Sequence, residues 1–242
     1  VGRPTSKVRG GSISPELQCD WILDELDLLS TRETDPFEPL TDWEKDVLRD
    51  VVPYWQTRSL RHHWKDLVGE KALAIDDLII GGGAFCGNNQ FPGHASPDFS
   101  QLLTLGTDGL IARIDERLSR PVTEAQRSEL TGMRLCLEAL GSLGGRYAAE
   151  AERLAAEESD EARRAELLEI ARTCRAVPRR PAGSFREAVQ SLWFGYYCIM
   201  LENWGTGNTF LRVDQYLEPF YESGIRSGLT DAEAYELLAM LL

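Results

Sequence analysis

His94 is the residue whose type and setting point most directly to chemistry. It sits in Gly81–Asp98, GGGAFCGNNQFPGHASPD, a stretch rich in glycine with two prolines. A histidine donates to or accepts from a hydroxyl, and it moves a proton near neutral pH. Glycines let a ligand approach the backbone closely. Ser96-Pro97-Asp98 predicts a helix start, with Ser96 as the cap, Pro97 at the first helical position and Asp98 at the positive helix end. Leu102, Leu103, Leu110, Ile111, Ile114 and Leu118 follow at helical spacing. A glycine-rich segment therefore runs into a helix with one buried face. From the residues alone two readings stand side by side: a ligand-facing loop, or a glycine-rich turn holding a structural histidine.

The other reactive types are scattered. Cys19, Cys86, Cys136, Cys174 and Cys198 form no Cys-x-x-Cys pair. That spacing excludes a local zinc or iron–sulfur cluster and predicts a reducing, cytoplasmic setting. Apart from His94, the histidines are His62 and His63, in RSLRHHWKDL, read as surface or packing residues. The formal net charge of −13 argues against a nucleic-acid surface and against anionic lipid. No apolar run approaches the length of a membrane span, and the opening VGRPTSKVRGG lacks the apolar core of a signal peptide.

The elements that must hold His94 read mostly as helices. Pro15-Glu16 predicts a helix through Trp21, Ile22, Leu26 and Leu29, and Arg32–Pro39 a loop. Thr41 with Glu44 forms a capping box for a helix ending near Pro53. Tyr54, Trp55, Leu60 and Trp64 read as core and inter-helix packing. Lys71–Ile80 stays open between a short buried strand and a helix end. Thr123–Thr173 is helical almost throughout, with a stripe of Leu130, Met133, Leu137 and Leu140 and a new cap at Ser159-Asp160. Gly141, Gly144 and Gly145 either interrupt it or allow close packing. The helix stops at Val177-Pro178, and Arg179-Arg180-Pro181 reads as a solvated turn. Ser184 and Glu187 form the next capping box. The following helix, carrying Ala188, Leu192, Trp193, Phe194, Tyr196, Tyr197 and Ile199, is apolar nearly all round and predicts burial on every side. A second glycine-bearing loop, Asn203–Asn208, comes next. Arg212 and Asp214 then read as a structural ion pair, Pro219-Phe220-Tyr221 as a turn, and Thr230 as the cap of a last helix. That helix breaks off at Leu241-Leu242 in mid-stripe, and the chain opens on Val1 rather than Met. Both features predict a fragment of a longer protein.

SFREAVQSLWF followed by LENWGTGNTFLRVDQYLEPFY resembles the glycyl radical enzymes of the pyruvate formate-lyase-like superfamily, in particular their glycerol dehydratase-like branch. Phe91-Pro92-Gly93-His94 with Pro97-Asp98-Phe99 resembles that branch's Gly-His-x-x-x-Asp segment. SISPELQCDWILDELDLLSTRETDPF resembles its opening block. The four blocks span nearly all of residues 1–242, which the resemblance makes the N-terminal part of a pyruvate formate-lyase-like domain.

The resemblance implies an α/β parent fold, a ten-stranded β/α barrel, of which this chain supplies a mainly helical piece with one or two barrel strands. It implies a glycyl radical lyase that cleaves a C–O, C–N, C–S or C–C bond of a small polar substrate by dehydratase- or decarboxylase-type elimination. The glycyl radical is installed by an S-adenosylmethionine/iron–sulfur activating enzyme, and the intact enzyme is expected to be a cytoplasmic homodimer of anaerobic metabolism. No cofactor is expected to bind this chain directly. The branch's Cys-x-Glu loop and C-terminal glycyl motif do not occur in these residues, so no catalytic residue is expected here. The alternative is a truncated or split chain that only binds a partner. Three substrate-binding positions carry over. His94 matches a pocket histidine that hydrogen-bonds a substrate hydroxyl. Cys86, eight residues earlier, matches another pocket-facing position. Gly207 stands where glycerol dehydratase has a substrate-contacting serine; this departure removes a hydroxyl, enlarges the pocket and puts glycerol itself in doubt.

Overall fold

The computed structural model describes residues 13–33, 36–81, 97–203, 209, 210 and 212–241. Among them are ten helices and no strand. In order they are α1 (Ile22–Glu25), α2 (Asp42–Trp55), α3 (Leu60–Leu67), α4 (Glu70–Gly81), α5 (Ser100–Leu118), α6 (Glu124–Glu157), α7 (Glu161–Ala176), α8 (Phe185–Asn203), α9 (Val213–Arg226) and α10 (Asp231–Ala239). They fall into two compact units. One holds α1 to α4 with residues 200–207, and the other holds Ala95–Ile199 with Asn208–Leu242.

The first unit buries Cys19, Ile22, Leu26 and Val52, with Trp21, Leu48 and Trp55 packed against them. The apolar spacing of 17–29 correctly marks the buried side chains, yet only Ile22–Glu25 is helical and the rest is a chain of turns. The segment is tied down from outside: Leu60 N–H donates to the Glu16 carbonyl (2.8 Å) and Arg61 N–H to the Leu17 carbonyl (3.0 Å). The Thr41–Glu44 capping box is present, with the Glu44 carboxylate accepting from Thr41 N–H (2.7 Å). Helix α2 runs past Pro53 to Trp55 rather than stopping at the proline. Tyr54 and Leu60 are exposed rather than core, and Leu78-Ile79-Ile80 belongs to α4 rather than to a strand. The expected barrel strands are thus not found among the described residues.

The second unit is organised by the first half of α8. Phe185, Ala188, Val189, Leu192, Trp193 and Phe194 form its core with Phe99, Leu102, Leu103, Ala148 and Leu217. Ala188–Gly195 is buried all round, as its composition requires, and burial eases from Tyr196 to the exposed Met200. Long helix α6 packs on both α5 and α7. Gly141 and Gly144 are buried; a Cβ on Gly144 would stand 2.8 Å from Pro178 Cδ and from the Val177 carbonyl oxygen. Gly141 and Gly144 therefore serve close packing, Gly145 is exposed with open space around it, and none of the three interrupts the helix.

One break does occur, in α5. Gly106 has φ 65°, in the left-handed region that favours glycine. The break frees backbone groups, and the 178–182 turn uses them. Thr107 N–H donates to the Pro178 carbonyl (2.8 Å), Asp108 N–H to that of Arg179 (3.1 Å), and Ala182 N–H to that of Leu103 (2.9 Å). The backbone of Arg179-Arg180-Pro181 is thus a docking strip and not a solvated loop, although its arginine side chains are exposed. That strip fixes where α8 begins. Ser184 Oγ accepts from Glu187 N–H (3.2 Å), but the Glu187 carboxylate turns to Gly183 N–H (2.7 Å), so the capping box is only half formed there.

Candidate functional site

His94, Cys86 and Gly207, the three substrate-binding positions read from the sequence, lie outside the described residues, as does Ser96. The structure does describe residues 97–100, 209, 210 and 212, which follow the two glycine-rich segments in the sequence.

The helix start is three residues later than the Ser-Pro-Asp pattern predicts. Helix α5 starts at Ser100, with Phe99 before it. Asp98 does the capping: its carboxylate accepts from Ser100 N–H (3.0 Å) and from Ser100 Oγ (2.5 Å). These bonds stabilise the ionised form and hold the Asp98 carboxyl below the usual carboxylate range. Prolines suit a first helical turn, but the Asp98–Ser100 pair satisfies the leading N–H group better and moves the start.

Phe99, 3% exposed, anchors this helix start. Its ring lies 6.1 Å from that of Phe210 and 6.4 Å edge-on from that of Tyr216. Phe210 lies 4.2 Å from Tyr196 of α8. Phe99 and Phe210 thus belong to one aromatic cluster on α8. Its floor is Gly195, where a Cβ would approach Leu102 Cδ2 to 2.8 Å and Phe99 Cε1 to 3.1 Å. The sequence reading did not single out this cluster. No local pattern signals it, because Phe99 stands far in sequence from Tyr196, Phe210 and Tyr216.

Arg212 grips Asp214 through one edge of the guanidinium: Nε donates to Oδ1 at 2.9 Å and Nη2 to Oδ2 at 2.6 Å. The hydrogen bond from Arg212 holds the Asp214 carboxyl low. The pair is exposed at the start of α9, so it positions the chain entering that helix. The Pro219-Phe220-Tyr221 stretch lies inside α9 and is not a turn.

A second aromatic group lies on another face of α8. Trp193 stacks on Tyr197 at 5.0 Å, and Tyr147 of α6 meets Trp193 (5.8 Å) and Phe194 (5.5 Å) edge-on. Burial raises the phenol of Tyr147 above its ordinary value and pushes the nearby buried thiol of Cys174 up to about 11. These groups are inert packing at neutral pH. Among the described residues no group of His, Cys, Asp and Glu is arranged to hold a metal ion, and no helix is long and apolar enough to cross a membrane.

What the arrangement does is pack Phe99 and Phe210, each of which follows a glycine-rich stretch in the sequence, into one aromatic cluster on α8. The family model "Pyruvate formate lyase-like" matches residues 1–242. The Escherichia coli (strain K12) protein named "Probable dehydratase YbiW" is 31% identical over 237 residues, which are 95% of this chain and 29% of that protein. The glycerol-bound form of the B12-independent glycerol dehydratase from Clostridium butyricum superposes with a TM-score of 0.82 at 30% identity, over 100% of this chain and 31% of that one. A glycyl radical enzyme from Archaeoglobus fulgidus gives a TM-score of 0.73 at 28% identity, over 95% and 30%. The chain thus spans under a third of the length of the relatives it matches.

Proposed function

The chain belongs to the pyruvate formate lyase-like family, and on that premise we propose that it is the front part of a glycyl radical lyase. The whole enzyme would cleave a C–O, C–N, C–S or C–C bond of a small polar substrate, by dehydratase- or decarboxylase-type elimination. The observation that carries this is the unbroken match from residue 1 to residue 242, shared with a dehydratase whose structure holds glycerol.

The chemistry of radical formation belongs to a glycyl radical outside these residues, installed by an S-adenosylmethionine/iron–sulfur activating enzyme. The part of this chain is recognition. His94 would hydrogen-bond a substrate hydroxyl, donating or accepting according to its tautomer. Cys86, small and weakly polar, would leave room beside it. Gly207 would leave room where a hydroxyl contact is expected, which favours a substrate larger than glycerol. The Phe99–Phe210–Tyr196 cluster would hold both loops in place, and the whole enzyme would be a homodimer.

The test starts from the gene. Sequence is read past the codon for Leu242, and the intact frame is expressed anaerobically with an activating enzyme and S-adenosylmethionine. A glycyl doublet in the electron paramagnetic resonance spectrum of the long product, with none from residues 1–242 alone, is the expected result. A doublet from the 242 residues alone would overturn the reading. A frame that closes at Leu242 would favour the alternative, a split chain that only binds a partner.

A further inference from the structure

We propose that the small cavity lined by α7, α8 and α10 binds one water molecule, which bridges Thr173 of α7 to Gln190 of α8. The inference is independent of the radical chemistry. The cavity gives a water-sized sphere about 20 Å3 of room, between Thr173, Gln190 and Arg186 on its polar side and Ile170, Val189 and Leu237 on its apolar side. Thr173 is 4% exposed and Gln190 7%. Neither side chain makes a hydrogen bond to another of the described residues. A hydroxyl and an amide buried this deeply are costly unless something pairs with them. Two such groups, on two helices and on one cavity, call for a shared partner.

Size and donor chemistry decide the guest. One water needs roughly 10–15 Å3 of such room and at least two polar partners. The cavity meets both conditions and leaves no space for a larger molecule. The Thr173 hydroxyl donates and accepts, and the Gln190 amide offers two N–H donors and a carbonyl. Water can donate and accept, so it satisfies the amide in either orientation. A halide only accepts. It would also shed its hydration for two neutral groups, because Arg186 stands half in water and faces Glu169 at 4.0 Å. A dry cavity is the competing reading, and it leaves both polar groups unpaired. The two readings give opposite signs when the hydroxyl is removed.

That sign is the test, made on the intact protein. Thr173→Val keeps the shape of the side chain and deletes its hydroxyl. With water bound, the change strips a partner from the water and from Gln190, and the urea midpoint should fall by about 0.3 M. In a dry cavity it removes an unpaired hydroxyl, and the midpoint should rise. With Gln190→Leu added, the bridge has no end left to lose, so the double variant should lose less than the two single losses summed. A high-resolution crystal structure of the parent provides the second measurement, whatever the variants do. One water should lie within about 2.7–3.2 Å of both Thr173 Oγ1 and a polar atom of Gln190, and crystals soaked in bromide should show no anomalous peak there. An unchanged or raised midpoint in Thr173→Val, strictly additive losses, an empty cavity, a direct Thr173–Gln190 hydrogen bond or a bromide peak would each overturn the proposal.

Discussion

Phe99 and Phe210 bring their ring centroids to 6.1 Å, although 111 positions separate them in sequence. Each is the first apolar anchor after a glycine-rich segment, and Tyr196 of α8 packs on the second at 4.2 Å. Phe99→Ala should destabilise the second unit by about 3–5 kcal/mol, the usual cost of emptying a buried aromatic site. The partly buried Phe210 should cost less. A double-mutant cycle in urea should give a coupling of about 0.5–1.5 kcal/mol. Strictly additive losses would show that the two anchors act independently.

Gly195 tests the floor of the same cluster. Its Cβ would meet the end of Leu102 at 2.8 Å and Phe99 at 3.1 Å, both side-chain atoms. Gly195→Ala should therefore cost about 1–3 kcal/mol through overpacking. Combined with Leu102→Val, which withdraws the nearest methyl, it should cost less than the two single losses summed. Equal or greater cost in the pair would place the strain elsewhere.

Gly106→Ala is the harsher change. The residue has φ 65°, and a Cβ there would stand 2.2 Å from the Arg179 carbonyl oxygen, a backbone atom with no rotamer to escape into. The three hydrogen bonds docking 178–182 onto α5 must then break. We expect a loss above about 3 kcal/mol, with tryptic cleavage after Arg179 much faster than in the parent chain. Unchanged cleavage would show that the docking strip tolerates the side chain.

Much of this was legible in the sequence, for a physical reason. Thr41, Thr123 and Thr230 each carry an acceptor at the third position of the helix that follows, and each forms a full capping box. Such signals are local and need no tertiary partner. The all-round apolar stretch of α8 likewise forces burial whatever surrounds it. The misses have tertiary causes. Residues 15–31 carry a helical pattern, but backbone bonds from Leu60 and Arg61 hold part of the chain in turns. A helix end near Pro53 and a turn at Pro219-Phe220-Tyr221 follow from the prolines, yet both prolines lie within helices. The kink at Gly106 depends on a strip more than seventy residues away and left no pattern at its own position. The Phe99–Phe210 pairing is a contact at long sequence separation, so periodicity could not reveal it.

Burial separates the cysteines by reactivity. Cys136 is exposed, whereas Cys19 and Cys174 are buried, and burial raises both thiols. With Ellman's reagent at about pH 8, Cys136 should react at the rate of a free thiol, and Cys19 and Cys174 only on unfolding. The sign of the linkage follows from the raised value. Below the ordinary thiol range Cys174 is protonated in both states and costs nothing. As pH rises toward about 11 the unfolded thiol ionises first, so stability falls. Urea midpoints of the parent and Cys174→Ala chains at rising pH should converge or cross. Parallel curves would remove Cys174 as a source of alkaline sensitivity.

His94 is the residue on which the proposed recognition rests. It precedes in sequence Asp98 and Phe99, whose capping bonds and ring contacts fix the start of α5. If His94 hydrogen-bonds a substrate hydroxyl in the intact, activated enzyme, His94→Ala removes one hydrogen bond from the transition state. The expected loss is about 1–3 kcal/mol, or roughly ten- to a hundredfold in kcat/KM. A loop residue facing substrate carries little packing, so Tm should hardly move. Cys86→Ser, which keeps the side chain small, should change KM slightly and leave kcat alone. A structural histidine predicts the opposite split, with Tm clearly lowered and the kinetics of the surviving enzyme nearly intact. Steady-state kinetics and a thermal melt on the same preparation distinguish the two. Parental kcat/KM in His94→Ala would end its assignment to substrate binding.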